Sequence, residues 1–243
     1  LKLFHEVDSE EFFLYHNAVN VSILSVELGL VLKYNKSALL DLALVGLLHD
    51  IELIKCEDVI KTARKLSAEE FAQIKEHSLN AATFFDRADN FKEEMVTAIL
   101  QHHERRSGQG YPEGLLASAI KEMASIVGIV DTYEAMIHFR PYKSKIPSST
   151  AVLNIINNGK ELFPNVVIKA LVACVGVYPI GSIVELNTGE IGKVLDVNFD
   201  FPLRPVVNVL ADKDMKKLES IKTVDLLHAP SLYIKKVVEH SAL

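Results

Sequence analysis

The chain has 243 residues, 49% hydrophobic and 24% charged, with a formal net charge of −6. This is ordinary globular composition, long enough for one large domain or a domain plus a small module, and the acidic balance argues against a nucleic-acid polymer as the main partner. Cys56 and Cys174 lack the paired spacing of a zinc knuckle and read as reduced thiols of a cytoplasmic protein. No uncharged apolar run approaches the ~18 residues of a membrane span, and no signal peptide is visible. The chain starts at Leu1 rather than Met, so a preceding regulatory domain is expected.

Residues 9–33 predict a helix, with Leu14, Val21, Leu24, Leu28 and Val31 near helical spacing and His16 in its first half. Ser37 suits the N-cap of a second helix over 38–50. That helix is apolar nearly all round, from Leu39 to Leu48, which predicts a central buried position. It ends in His49-Asp50, a charged pair that is costly to bury unless something binds it. A short helix and connections occupy 51–66. Ser67, with Glu70 three residues on, forms a capping box that opens a helix to about residue 85 carrying His77. Asn90 and Glu93 mark the start of the next, which runs to about 105 and carries His102 and His103. A loop with Gly108, Gly110 and Pro112 follows. A long helix over 117–138 then carries Asp131 behind the apolar run Ile126 to Val130. Further helices are expected at 148–159 and 165–177. After Tyr178-Pro179 the composition changes. Residues 182–187 and 191–197 are rich in Val, Ile and Leu around an Asn187-Thr188-Gly189 turn, a hairpin signature, and 205–210 reads as a third strand. The fold class is therefore mainly α: a helical domain over 1–177 with a small β-rich extension over 178–243.

The chemistry gathers at His102-His103-Glu104-Arg105-Arg106. Imidazoles and carboxylates suit a transition metal, and arginines suit a phosphate. Arg105 and Arg106 read either as a solvated helix end or as phosphate ligands. A single His on an apolar helix is usually a satisfied core residue. His16, His49-Asp50, His77, His102-His103 and Asp131, however, fall on five separate predicted helices, and so many charges are rarely buried without a common partner. Seven such ligands exceed one tetrahedral site and suit two metals, with Asp50 as the natural bridge. A metal pair makes hydroxide available near neutral pH and neutralises charge on a phosphoryl oxygen, which is the chemistry of phosphodiester hydrolysis.

The segment His102-His103-Glu104-Arg105, with Gly108-Gln109-Gly110-Tyr111-Pro112, resembles the signature of the HD-GYP family, a branch of the HD-domain metal-dependent phosphohydrolases. His49-Asp50-Ile51, His77, Asp131 with Tyr133-Glu134-Ala135, and Arg140-Pro141-Tyr142-Lys143 match it as well. The resemblance covers about residues 12–175, and 178–210 resembles a tail that many members carry. It implies an HD-domain helical bundle with a bi- or trinuclear centre of iron or manganese, nickel and zinc being the alternatives. It implies cleavage of cyclic di-GMP to pGpG and/or GMP through a metal-bridging hydroxide, with His49 and Asp50 at the catalytic centre. An upstream sensory domain is implied too, and a homodimer is compatible with it. By position, His16, His49, Asp50, His77, His102, His103 and Asp131 are implied metal ligands. Arg140 and Lys143 are implied substrate contacts, with Tyr111 and Arg105 as further candidates beside them.

The chain departs from that pattern at three places. Glu52-Leu53 stands where the family has Gly-Lys, and that lysine is expected to touch the scissile phosphate, so slow turnover is expected; Lys55 is the nearest lysine in sequence. Phe12 stands where three-metal members carry Glu, which favours two metals. Ser107 replaces the usual Asp of the loop. Two readings compete with cyclic di-GMP hydrolysis: a phosphodiesterase for 3′,3′-cyclic GMP-AMP, and a receptor module that binds a cyclic dinucleotide but hydrolyses it slowly or not at all.

Overall fold

In the computed structural model, residues 13–62, 64, 66–89, 91–138, 145–198 and 200–238 are described. Helix α1 (Phe13–Val31) buries Phe13, Val21, Leu24 and Leu28 and packs along α2 (Lys36–Leu48). The two helices approach closely because Gly46 has no side chain: a Cβ there would lie 2.8 Å from Ser22 Cα. The Ser22 hydroxyl donates to the Ala43 carbonyl across the same contact, at 2.8 Å. The N-cap of α2 is Asn35, two residues before the expected Ser37; its Oδ1 accepts the Ala38 N–H at 3.0 Å. Nor is α2 the buried centre that its composition suggests. It buries Leu42, Val45 and Gly46, while Leu40, Leu44 and Leu47 are 58%, 44% and 41% exposed. Composition sets how apolar a helix is, but the neighbours set which of its faces are covered.

A 3₁₀ turn (Ile51–Cys56) and α3 (Glu57–Ile60) lead to α4 (Ala68–Phe85). The capping box at its start is formed: Ser67 Oγ accepts the Glu70 N–H at 3.1 Å, and Glu70 Oε2 accepts the Ser67 N–H at 2.8 Å. α5 (Glu93–Gln101) stops before His102, and α6 (Glu122–Ile137) begins later than expected, so the connection between them is long. Asn90, the expected cap of α5, lies outside the described residues. α6 holds the central place expected of α2, with Ala124 to Asp131, Tyr133 and Glu134 all buried. α7 (Ser148–Asn158), a 3₁₀ turn (Gly159–Glu161) and α8 (Asn165–Val175) follow.

The chain divides into two compact units, Leu1–Ile146 with Ile155–Ala170, and Pro147–Asn154 with Leu171–Leu243. The second contains an antiparallel five-stranded sheet of order β4-β3-β2-β1-β5, built from β1 (Ile183–Leu186), β2 (Ile191–Asp196), β3 (Val206–Ala211), β4 (Lys217–Asp225) and β5 (Ile234–Val237). Gly189, at φ 87°, makes the β1–β2 turn. Val184, Leu186, Val194, Val207, Val209, Val224 and Leu226 form one core beneath the sheet. Among the described residues, no helix is long and apolar enough to cross a membrane.

Candidate metal centre

Four elements of the first unit deliver the site. His49 caps the C-terminus of α2, and Asp50 follows it into the 3₁₀ turn. His77 projects from α4, His102 caps α5 with His103 next to it, and Asp131 sits on α6. α5 and α6 meet so tightly at Gly128 that a Cβ there would stand 2.3 Å from the His102 carbonyl oxygen. That contact brings Asp131, nearly one helical turn on, beside the histidine pair.

Three of the imidazoles are oriented by one device. Nδ1 of His49 lies 2.8 Å from the Gly46 carbonyl, Nδ1 of His77 2.7 Å from that of Ile74, and Nδ1 of His102 2.6 Å from that of Ile99. A carbonyl only accepts, so each Nδ1 carries the hydrogen, and in the neutral ring each Nε2 presents a lone pair. These nitrogens converge on one carboxylate: His49 Nε2 is 3.3 Å from Asp50 Oδ2, while His77 and His102 Nε2 are 3.1 and 3.4 Å from Asp50 Oδ1. The His77 and His102 Nε2 atoms are themselves 3.3 Å apart. The contacts to Asp50 are ion-pair distances, attractive wherever an Nε2 carries a proton or a metal takes its place, and His49 Nε2 and Asp50 Oδ1 are buried with no hydrogen-bond partner. Only a cation relieves such an arrangement, and neutral imidazoles fixed by backbone carbonyls are how proteins present nitrogen to a metal. Donor atoms of Asp50, His77, His102 and His103 lie within 4.8 Å of one another, as do those of His49, Asp50 and Asp131. Asp50 belongs to both groups. The donor set therefore fits a transition-metal centre.

His16 is half-buried on α1 and falls in neither group. Its neighbour Asn17 makes the reach instead, donating from Nδ2 to Asp131 Oδ1 at 3.1 Å and to Glu134 Oε2 at 2.6 Å. Nothing in the sequence pattern marked that amide, because an Asn on an apolar helix face carries no charge to explain.

The protonation pattern follows from burial against the two carboxylates. Burial alone would lower His49, but Asp50 and then Asp131 outweigh it and push it up to about 10. Burial works to raise Asp50, yet the imidazoles around it hold it well below the usual carboxylate range. Burial pulls His77 down, and its contact with Asp50 more than reverses this. His102 and His103 are lowered, by burial first and then by cationic neighbours. In the metal-free protein, protonated His49 stabilises the fold fully below about pH 6.5, and that contribution is lost as pH rises toward about 10. A metal held by His49 would displace this proton, whereas burial and neighbouring charge already favour the neutral forms of His102 and His103. Metal uptake at pH 7 is therefore expected to release about one proton or more per chain and to weaken as pH falls. Calorimetry in two buffers of different ionisation enthalpy measures the release; metal uptake with no proton released would contradict the assignment of His49.

The loop after His103 is tied to the centre by a residue whose role was not legible in the sequence. Glu104 is buried; its Oε1 accepts the N–H groups of Glu113 and Gly114 at 2.7 and 3.1 Å, and its Oε2 accepts that of Leu115 at 2.9 Å. Gly110 lets the loop lie directly on the end of α5, where a Cβ would come within 2.4 Å of the Arg105 nitrogen. Tyr111 then stacks on His103, ring centroids 4.5 Å apart at 29°. Arg105 takes a different place from the substrate contact expected of it. Its guanidinium turns inward, donating to the carbonyls of His102 and Glu104 at 2.9 and 2.8 Å and lying over the Phe163 ring. It braces the end of α5. Arg140 and Lys143 lie outside the described residues. Lys55 is 74% exposed and paired with Glu52 at 2.6 Å, so it does not stand in for the missing lysine.

A pocket of about 220 Å³ opens over the centre. Asp50, His77, His103 and Asp131 line one part of it; Phe13, Leu53, Ile60, Leu66, Phe71 and Ile74 make an apolar wall, and Tyr111 borders it.

Comparison with known families decides what this centre belongs to. The family model of the HD domain matches residues 3–164, two thirds of the chain. The chain belongs to the HD-domain family. Gly110-Tyr111-Pro112 places it in the HD-GYP branch. A second model, a KOW domain associated with the HD domain, matches residues 183–243. The HD-GYP chain is 32% identical over 88% of its length to the cyclic di-GMP phosphodiesterase PA4108 of Pseudomonas aeruginosa, covering 52% of that protein. It is 31% identical over 63% of its length to the 3′,3′-cGAMP-specific phosphodiesterase 1 of Vibrio cholerae, covering 35% of it. It thus spans about half or less of these relatives. The fold is shared with Bd1817, an HDG"Y"P protein from Bdellovibrio bacteriovorus, at a TM-score of 0.55 and 24% identity over 65% of this chain and 51% of that one.

Proposed function

We propose that this chain is a metal-dependent phosphodiesterase that hydrolyses a cyclic dinucleotide, cyclic di-GMP before 3′,3′-cyclic GMP-AMP, to pGpG and/or GMP. The observation that carries the reading is the convergence of three Nδ1-anchored imidazoles on Asp50, with Asp131 beside them. The preference for cyclic di-GMP is supported by the relative of that name, which matches more of the chain than the cyclic GMP-AMP enzyme does.

Two metals are proposed, iron or manganese before nickel or zinc. His77, His102 and His103 would hold one and His49 and Asp131 the other, with Asp50 between them; His16 is the proposed further ligand from α1. When bound, the metals would supply Lewis acidity toward the phosphoryl oxygens and lower the pKa of water. The protein's own contribution is to fix the donors before substrate arrives. Backbone carbonyls set the imidazole tautomers, Asn17 holds Asp131, and Glu104 keeps the Tyr111 loop against His103. The apolar wall limits water in the remainder of the pocket. At about 220 Å³ the pocket is smaller than the roughly 300–1,000 Å³ that hold a whole ligand, so it suits one phosphodiester with the rest of the dinucleotide across the rim. Arg140 and Lys143 remain proposed substrate contacts, as does Tyr111. We also propose a catalytic domain over 1–177 with 178–243 as its extension, a cytoplasmic location, a sensory domain upstream and a homodimer.

The test is direct. Metal-loaded protein incubated with either cyclic dinucleotide should yield linear product, faster from cyclic di-GMP. Protein that carries its metals and binds cyclic di-GMP without cleaving it would replace the enzyme by a receptor.

Leu53 sets the expected speed. It is buried against Phe13 and Ile60 and lines the pocket, so a lysine there would bring an ammonium to the phosphate as charge builds. Preorganised charge of this kind is worth about 10²–10³ in rate. Leu53→Lys is expected to raise kcat more than it changes KM. A fast wild type whose kcat does not rise in Leu53→Lys would show that another group supplies this charge.

A further inference from the structure

The wall that carries Leu53 offers no charge to an anionic substrate, but a cation stands at the border of the same pocket. Lys75 lies on α4, two residues before His77, and is half-buried. Its Nζ is 4.7 Å from the centroid of Phe71 and 5.3 Å from that of Tyr111, and both rings line the pocket. Two aromatic faces on different elements, α4 and the Tyr111 loop, hold the ammonium at the rim by cation–π attraction. Lys55, Lys61 and Lys92 are each paired with a carboxylate, Glu52, Glu57 and Asp41. Among the described residues no carboxylate lies within ion-pair distance of Lys75. A positive charge that is positioned but not neutralised, beside a pocket built for a phosphodiester, has an evident counter-ion.

We propose that Lys75 is a substrate-binding residue that holds a phosphate of the cyclic dinucleotide at the rim formed by Phe71 and Tyr111. This rests on the phosphodiesterase reading above. An ammonium is a compact point charge with three donors, suited to a phosphate oxygen approaching from the open side. The contact lies at the rim, beside the donor cluster rather than in it, and is made equally with substrate and transition state. Its loss therefore raises KM and leaves kcat nearly unchanged, in contrast to Leu53→Lys.

Lys75→Met keeps most of the stem that packs on the two rings and removes the charge; Lys75→Arg keeps the charge. Metal content, melting temperature, KM and kcat should be measured on cyclic di-GMP at low and high salt, together with the Kd of its phosphorothioate analogue. In Lys75→Met, KM and Kd should rise about tenfold at low salt, with metal content and melting temperature unchanged and kcat within about threefold; added salt should shrink the difference from wild type. Lys75→Arg should stay within about threefold of wild type in all of these. Unchanged KM and Kd in Lys75→Met would overturn the proposal while leaving the phosphodiesterase reading intact. Loss of metal in Lys75→Met would also overturn it, since the lysine would then act through His77. A metal-loaded wild type that neither binds nor cleaves cyclic di-GMP overturns both.

Discussion

Asp50→Ala is expected to lose its bound metal and all measurable hydrolysis while keeping its helices. Asp50 is the one side chain common to both donor groups, and its Oδ1 is buried without a hydrogen bond. Alanine leaves three Nε2 lone pairs facing one another with no anion between them. Asp50 is also the largest force opposing burial at His49, so in the variant that imidazole falls back toward the neutral form. Replacing a partner one step out from a metal costs roughly 10–100-fold in affinity or activity, and removing the proposed shared ligand itself should cost more. The fold should survive, because the α1–α2 contact rests on Leu42, Val45 and Gly46, which the substitution does not touch. Elemental analysis, circular dichroism and product chromatography on the same sample separate these effects. Wild-type metal content and turnover in Asp50→Ala would rule out the centre described.

Gly128→Ala is expected to destabilise the protein and weaken metal binding together. On an open helix face the same change stabilises by roughly 0.5–1 kcal/mol, since alanine restricts the unfolded chain. Here the new Cβ would stand 2.3 Å from the His102 carbonyl oxygen and 3.3 Å from the Arg105 guanidinium. The first atom is backbone at the end of α5 and cannot swing aside, so α5 and α6 must separate. Overpacking of this sort costs about 1–3 kcal/mol. For a domain of this size that lowers Tm by about 2–4 °C per kcal/mol. The separation moves Asp131 away from His102 and His103, so metal affinity should fall in the same variant. A Tm that rises, as it would on an exposed helix, would show that the two helices do not meet there.

The histidines and aspartates were legible in the sequence because a buried charge must have a partner. His49-Asp50, His77, His102-His103 and Asp131 fall on or directly after segments that read as apolar helices, so a common centre is the economical explanation. The capping box at Ser67 and the β1–β2 turn are local, set by residues a few positions apart, and both formed as the pattern predicts. β4 and β5 were not legible: β4 mixes charge with aliphatic residues, β5 is four residues long, and strand formation depends on the neighbour that pairs with it. The sequence by itself thus determined the chemistry of the site, since the need to neutralise buried charge acts on residue type whatever the fold. Only the tertiary structure decided which polar groups serve that chemistry and which brace it. Glu104 turns to three backbone N–H groups, Arg105 to two carbonyls, Asn17 to Asp131, and α6 rather than α2 takes the centre. Those outcomes depend on which carbonyls, amides and helix faces come within about 3 Å of each other, a matter of packing between segments far apart in the chain.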